Sequence, residues 1–228
     1  MGRRTSGRRP QKKEGGRARI TQAERQSQSR RKILEAAMDE FGARDFDAVT
    51  MEAICASHGI SKGMMYHYYT GKDELFLACV GHVFQSLLKY VRHDAAALGK
   101  QAAFETIKNY FAIRECYFQR HPKEKNIFEN ALLRTPKHLQ EEISRLHQPL
   151  FEMNQTFLKG IVLKMQLRGG LRNDQVLQYI ECVGTLLPSM LRLYQMPGGL
   201  SDLHAMLATS EEILDMLLSG VIRQEGAI

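Results

Sequence analysis

Cysteine is scarce in this chain of 228 residues, and Cys55, Cys79, Cys116 and Cys182 form no Cys-x-x-Cys pair. That spacing excludes a disulfide framework and a paired-thiolate motif. Three of the four sit inside apolar helical runs, so reduced, buried thiols in a cytoplasmic protein are expected. No run of 18 apolar residues occurs, which leaves no candidate membrane-spanning helix and no expected membrane partner. The start is basic without an apolar stretch behind it, so no secretory signal is expected. Strict period-two alternation and hairpin turn pairs are also missing, and the fold class is all-α.

The motifs of common chemistry are absent as well. There is no phosphate-cradling glycine loop, no Gly-x-Ser-x-Gly elbow and no His-Glu-x-x-His, so neither an enzyme nor a bound cofactor is expected. Cys55 and His58 could share a helix face, but no further ligand pair is spaced to complete a metal site, and none is expected.

What is present is charge of one sign at one end. Residues 1–32 hold 12 Lys or Arg against Glu14 and Glu24, so the remainder of the chain is net acidic although the whole carries +7. The basicity belongs to the N-terminal tail. Residues 1–20 are poor in apolar side chains and rich in Gly, Arg and Lys, the composition of a disordered segment.

From Gln22 the pattern becomes helical. Ile33, Leu34, Ala37, Met38 and Phe41 make one face of an amphipathic helix ending at Gly42. Phe46 and Val49 pack the following loop. Thr50 caps a short helix that His58-Gly59 stops, Ile60 plugs the turn, and Ser61 caps a second helix over Lys62–His67. Lys62, Gly63, Met64 and Tyr66 form its outward face. A short helix projecting from a tight glycine turn fits the major groove of B-DNA. Tyr66, Tyr68, Tyr69 and Lys72 would then grip phosphates and fix register. By pattern alone, a helical hairpin with an ordinary aromatic core remains the other reading.

Four segments carry a family resemblance: ILEAAMDEF at 33–41, FDAVT at 46–50, ICASHGISKG at 54–63 and MYHYYTGKDEL at 65–75. Together they resemble the DNA-binding domain of TetR-type (TetR/AcrR) transcriptional regulators. The resemblance implies that Thr50, Ser61, Lys62, Gly63, Met64, Tyr66, His67, Tyr68 and Lys72 contact double-stranded DNA. The family often has glycine at the position of Asp45, and Asp tolerates the left-handed backbone such a glycine would adopt. Beside such a domain, the basic tail could also track phosphate or enter the minor groove, adding salt-dependent affinity.

The rest reads as six more helices, nine in all. A fourth starts at Thr70 or Gly71, with Thr-Gly-Lys-Asp as a capping box, and runs through the stripe Leu75, Phe76, Cys79, Val83, Leu87 and Val91. A fifth spans about 101–120, and Pro122 opens a sixth to about Arg134. Thr135-Pro136 caps a seventh to about Arg168, which Pro149 is expected to kink or split. Gly169-Gly170 ends it, and Asn173 and Ser201 cap the eighth and ninth. The expected division is a tail over 1–20, a helix-turn-helix domain over 21–69 and a helical domain over 70–228.

Aromatic stripes on the fifth helix, Phe104, Phe111 and Phe118 with Tyr110 and Tyr117, are either plain core or the wall of a pocket. Arg114 within them must be paired if buried, with Glu129, with Glu152 or with an anionic ligand. The resemblance implies an effector pocket in the helical domain, with Phe111, Arg114, Tyr117, Phe118, Phe128, Phe151 and Met165 as candidate lining. It also implies a homodimer through the last two helices, about 174–196 and 201–222. Both are apolar around more of their circumference than a one-sided surface helix needs. The function these readings imply is a dimeric, ligand-responsive regulator of transcription, taken as a repressor, although the sequence does not itself separate repression from activation. The alternative is an architectural or partner-regulated DNA-binding protein without a small-molecule ligand.

Overall fold

A reciprocal pair of hydrogen bonds opens the first helix, α1 (Gln22–Ala43). The Glu24 amide donates to Thr21 Oγ1 at 3.2 Å, and the Thr21 amide donates to Glu24 Oε2 at 2.6 Å. These bonds satisfy two donors that a helix start leaves open. They also hold the Glu24 carboxyl below its ordinary pKa. The computed structural model describes residues 21–96, 98, 103–167, 169–179 and the isolated positions 212, 213, 216 and 220.

Helices α2 (Met51–His58), α3 (Lys62–Tyr68), α4 (Lys72–Ala95), α5 (Ala103–Arg120), α6 (Pro122–Leu132) and α7 (Gln140–Val162) follow, with 3-10 turns at Phe46–Ala48 and Lys137–Leu139 and a helical stretch over 173–179. The described residues are thus organised in helices, as the sequence indicates. The basic tail and most of the two stretches expected to dimerise lie outside them.

One buried cluster runs from Ile33, Ala37 and Phe41 of α1 through Phe46 and Ile54 to the α4 stripe. All six stripe residues read from the sequence are buried, joined by Val80 and Phe84. Removing each large apolar side chain from water contributes about 1.5–3 kcal/mol, so α4 is fixed to both halves of the protein. A second, smaller cluster gathers Ile107, Leu158, Ile161, Val162 and Val176.

Several local expectations are corrected. Asp45 is extended, at φ −65° and ψ 154°, so the loop needs no left-handed residue there. The turn before α4 is closed by Glu74 instead of Asp73. Its Oε2 accepts from the Thr70 amide at 2.7 Å and from Thr70 Oγ1 at 2.8 Å, while Gly71 occupies the cap position. Thr135 does not cap α7. Its hydroxyl bonds back to the Ala131 carbonyl, as α6 runs out, and α7 begins at Gln140. Pro149 does not split α7: the helix runs unbroken past it, with the proline on its exposed side. α7 stops at Val162, short of Arg168, where tighter three-residue turns take over from Lys164 to Ile161 and from Met165 to Val162. Cys55 and Cys79 are buried, but Cys116 is exposed.

α6 lies along the end of α1. At Gly42 an added Cβ would fall 2.5 Å from Cβ of Lys123, so only glycine permits this approach. One edge of α6 then bonds to the chain leaving α1. Lys123 Nζ meets Asp39 at 2.7 Å, and Asn126 Nδ2 donates to the Phe41 carbonyl at 3.1 Å. Asn130 Oδ1 accepts from the Phe46 amide at 3.4 Å. No helix of the described residues is long and apolar enough to cross a membrane.

Candidate nucleic-acid interface

Each corner of the α2–α3 unit is fixed by a local bond. Thr50 Oγ1 accepts from the Ala53 amide at 3.1 Å and starts α2. Gly59 ends it in the left-handed conformation, φ 59° and ψ 42°, which costs glycine little and most other residues about 1 kcal/mol. The Ile60 amide then returns to the Cys55 carbonyl at 3.0 Å, and the Ile60 side chain is buried in the turn. Ser61 Oγ accepts from the Met64 amide at 3.2 Å and starts α3. His58 is engaged away from this surface, with Nε2 3.3 Å from Glu40 of α1.

Burial of Met65 and Tyr69 decides which face α3 presents. Lys62, Gly63, Tyr66 and His67 are exposed on it, and Met64 and Tyr68 are half-buried against the core. Tyr66 is 49% exposed. Thr50 and Ser61 stand exposed at the two helix starts, where their oxygens are already used as caps. Tyr69 is a correction. It is a core residue, and its aromatic body outweighs its hydroxyl once α1 packs over it.

Lys72 is half-buried, and its ammonium has a partner inside the protein. Nζ donates to the Phe46 carbonyl at 3.1 Å and stands 4.1 Å from the centre of the Phe46 ring. An ammonium has three donors, so this contact aims the charge and leaves others for a phosphate. Two further contributors carry no signal in the sequence. Glu52 accepts from the Tyr66 hydroxyl at 3.5 Å, and the Arg30 guanidinium lies 5.8 Å from the centre of the Tyr69 ring. Both join residues on different helices, and no local spacing announces them.

The candidate effector residues are dispersed. The Phe111 side chain lies outside the described residues. Phe118 and Phe128 are buried, their ring centres 4.9 Å apart, and Phe128 packs on Phe84 in the core. Phe151 is half-buried on α7, and Met165 packs on the second cluster. Arg114 is buried. It donates to Asn154 and, at 2.8 Å, to the Tyr110 carbonyl, with its guanidinium 4.2 Å from the centre of the Tyr110 ring. Glu129, one of its expected partners, lies beside Lys125 and Arg134, and Glu152 accepts from Gln148. Burial pushes the Arg114 pKa down.

Tyr117 lines a surface cleft of about 640 Å³ with Lys89 and Tyr90 of α4, Arg120 of α5, His121 at the cap before α6 and Glu124 of α6. Its hydroxyl donates to Glu124, and burial together with that carboxylate raises its pKa.

Residues 33–79 match the family model described as bacterial regulatory proteins, tetR family. Over 73 residues the chain is 37% identical to the HTH-type transcriptional regulator BetI of Brucella canis, a match covering 32% of this chain and 35% of that protein. The match thus spans about a third of the length of the curated relatives. Among solved structures, a TetR family transcriptional regulator from Chloroflexus aurantiacus aligns over 87% of this chain and 95% of its own, at 19% identity and a TM-score of 0.53. The regulator FadR from Bacillus subtilis, in complex with stearoyl-CoA, aligns over 84% and 98%, at 14% identity and a TM-score of 0.57. Residues 33–79 thus carry a helix-turn-helix domain of the tetR type, and the helices beyond it share the fold of these solved regulators.

Proposed function

We propose that this protein is a ligand-responsive transcriptional regulator that binds a near-palindromic operator as a homodimer and represses until an effector releases it. The observation that carries the DNA-binding reading is the exposed face of α3, with Lys62, Gly63 and Tyr66 turned outward by buried Met65 and Tyr69. Such a helix places side chains on base edges while capping residues and lysines meet phosphates. Thr50, Ser61, Met64, His67, Tyr68 and Lys72 complete the proposed contact set.

Dimerisation through about 174–196 and 201–222 is supported by two residues on those stretches, Tyr179 and Met216, which are large, apolar and exposed. A two-fold pair would read half-sites about 34 Å apart, one turn of DNA. An effector site in the helical domain is supported by a protein of the same fold that holds stearoyl-CoA. The packing of Phe118 against Phe128, and of Phe128 against Phe84, favours the second reading, a partner-regulated DNA-binding protein with no small-molecule ligand at those residues.

The test is an anisotropy titration of the full chain against DNA from its own upstream region and against scrambled DNA, at several salt concentrations. Selective binding with two protomers per site is expected. Equal affinity for both DNAs would overturn the reading.

A further inference from the structure

The peptide groups of one residue, Phe46, tie the helical domain to a lysine of the proposed DNA-binding surface. Its amide donates to Oδ1 of Asn130 at 3.4 Å, and its carbonyl accepts from Nζ of Lys72 at 3.1 Å. The Lys72 ammonium also lies 4.1 Å from the centre of the Phe46 ring. Phe46 therefore sets where the Lys72 charge stands, and Asn130, 1% exposed on α6, sets where Phe46 stands.

The chemistry of Asn130 says which of its atoms is used. Two donors point at its Oδ1, the Phe46 amide and Nε of Arg134 at 3.3 Å. Only the carbonyl end of an amide can accept both, which fixes the orientation of the side chain. Its Nδ2 is buried and has no hydrogen-bond partner among the described residues. A buried donor left open is unfavourable. The residue holds its place by its acceptor, in spite of its donor.

We propose that Asn130 is a positioning residue for DNA binding: through Phe46 it holds the Lys72 ammonium where it meets the phosphate backbone. The inference rests on the DNA-binding reading above and adds a residue of α6 that touches no DNA. It also gives the helical domain a route to the DNA-binding surface besides α4, since any movement of α6 moves the Asn130 acceptor.

The experiment compares operator binding by the full-length wild type with Asn130→Leu, which keeps the branched side-chain skeleton without the acceptor, and Asn130→Asp, which keeps the acceptor without the open amide. Lys72→Ala and the double variant Asn130→Leu with Lys72→Ala complete a cycle. Lys72→Ala should weaken binding roughly tenfold, the scale of one charge-assisted contact. It should also lower the slope of log K against log salt by about 0.9, the share of one phosphate.

Asn130→Leu should reproduce both effects and add nothing in the Lys72→Ala background. Asn130→Asp should stay within about threefold of wild type. Should Asn130→Leu not fold by circular dichroism, Asn130→Ala takes its place in the cycle. An unchanged salt slope, effects that add to those of Lys72→Ala, or a folded Asn130→Asp that binds as weakly as the acceptor-free variant would each overturn the inference. A wild type that does not distinguish its operator from scrambled DNA would instead sink the underlying reading, and this inference with it.

Discussion

The Tyr66 hydroxyl lies 3.5 Å from Oε1 of Glu52, so the exposed face of α3 is tied to the first turn of α2. This bond has a cost on a surface proposed to meet a polyanion, because the partner is a carboxylate. Replacing Glu52 by Gln keeps an acceptor for Tyr66 and removes the repulsion. Glu52→Gln should tighten operator binding a few-fold at low salt, with the gain fading as salt screens it. Tyr66→Ala should weaken binding by roughly tenfold or more, and Tyr66→Phe by less, because the ring still covers the DNA. Anisotropy titrations at two salt concentrations check the series, and equal affinities for all four proteins would remove Tyr66 from the interface.

The turn between α2 and α3 makes a different demand. Nothing lies within 4 Å of a Cβ added at Gly59, so space does not restrict that position. The backbone does, at φ 59°. Gly59→Ala should therefore cost about 1 kcal/mol in urea unfolding, and Gly59→Asn less, because Asn tolerates the left-handed region better. Equal stability of the wild type and Gly59→Ala would show that the turn adopts another conformation in solution.

Two helical glycines separate space from propensity. Gly42 is closed by Lys123, whose Cβ would lie 2.5 Å and Cα 3.0 Å from an added methyl, whereas an added methyl at Gly81 in α4 would touch only Leu146 at 3.6 Å. Gly42→Ala should destabilise by about 1–3 kcal/mol, since the backbone of α6 must move. Gly81→Ala should stabilise by up to about 1 kcal/mol through helix propensity. Opposite signs in urea unfolding are expected. A stabilising Gly42→Ala would mean that α6 does not sit against α1 in solution.

The parts legible in the sequence are those settled within one or two helical turns. Thr50, Ser61 and Gly59 act where the sequence places them, because caps and left-handed stops depend on the next three or four residues. The α4 stripe is equally legible, since period alone selects its buried face. Tyr69 is not, because a tyrosine can serve either the surface or the core, and only packing against distant helices decides. The same reason hides the partners of Arg114, where Asn154 lies on another helix, and the bond from Asn130 to Phe46. Cys116 sits in an apolar run yet on the exposed side of α5, a choice that the neighbouring helices make.

His147 adds a pH dependence whose sign follows from its surroundings. Its ring packs on Phe84 of α4, with ring centres 5.3 Å apart. Burial, with a smaller contribution from the Arg114 charge, lowers its pKa from 6.5 to about 4. The folded protein keeps the ring neutral between those values while the unfolded chain takes up a proton. Stability from this group is complete above pH 6.5 and is lost as pH falls toward 4. At pH 4.5 the loss should be about 2–3 kcal/mol, because each tenfold preference of the proton for the unfolded chain is worth about 1.4 kcal/mol. Other imidazoles stand beside carboxylates, His58 by Glu40 and His138 by Asp73, and both proteins of the comparison keep them. In urea unfolding at pH 7 and pH 4.5, the wild type should lose about 2–3 kcal/mol more than His147→Gln. Equal losses would mean that the His147 ring is open to water in the native protein.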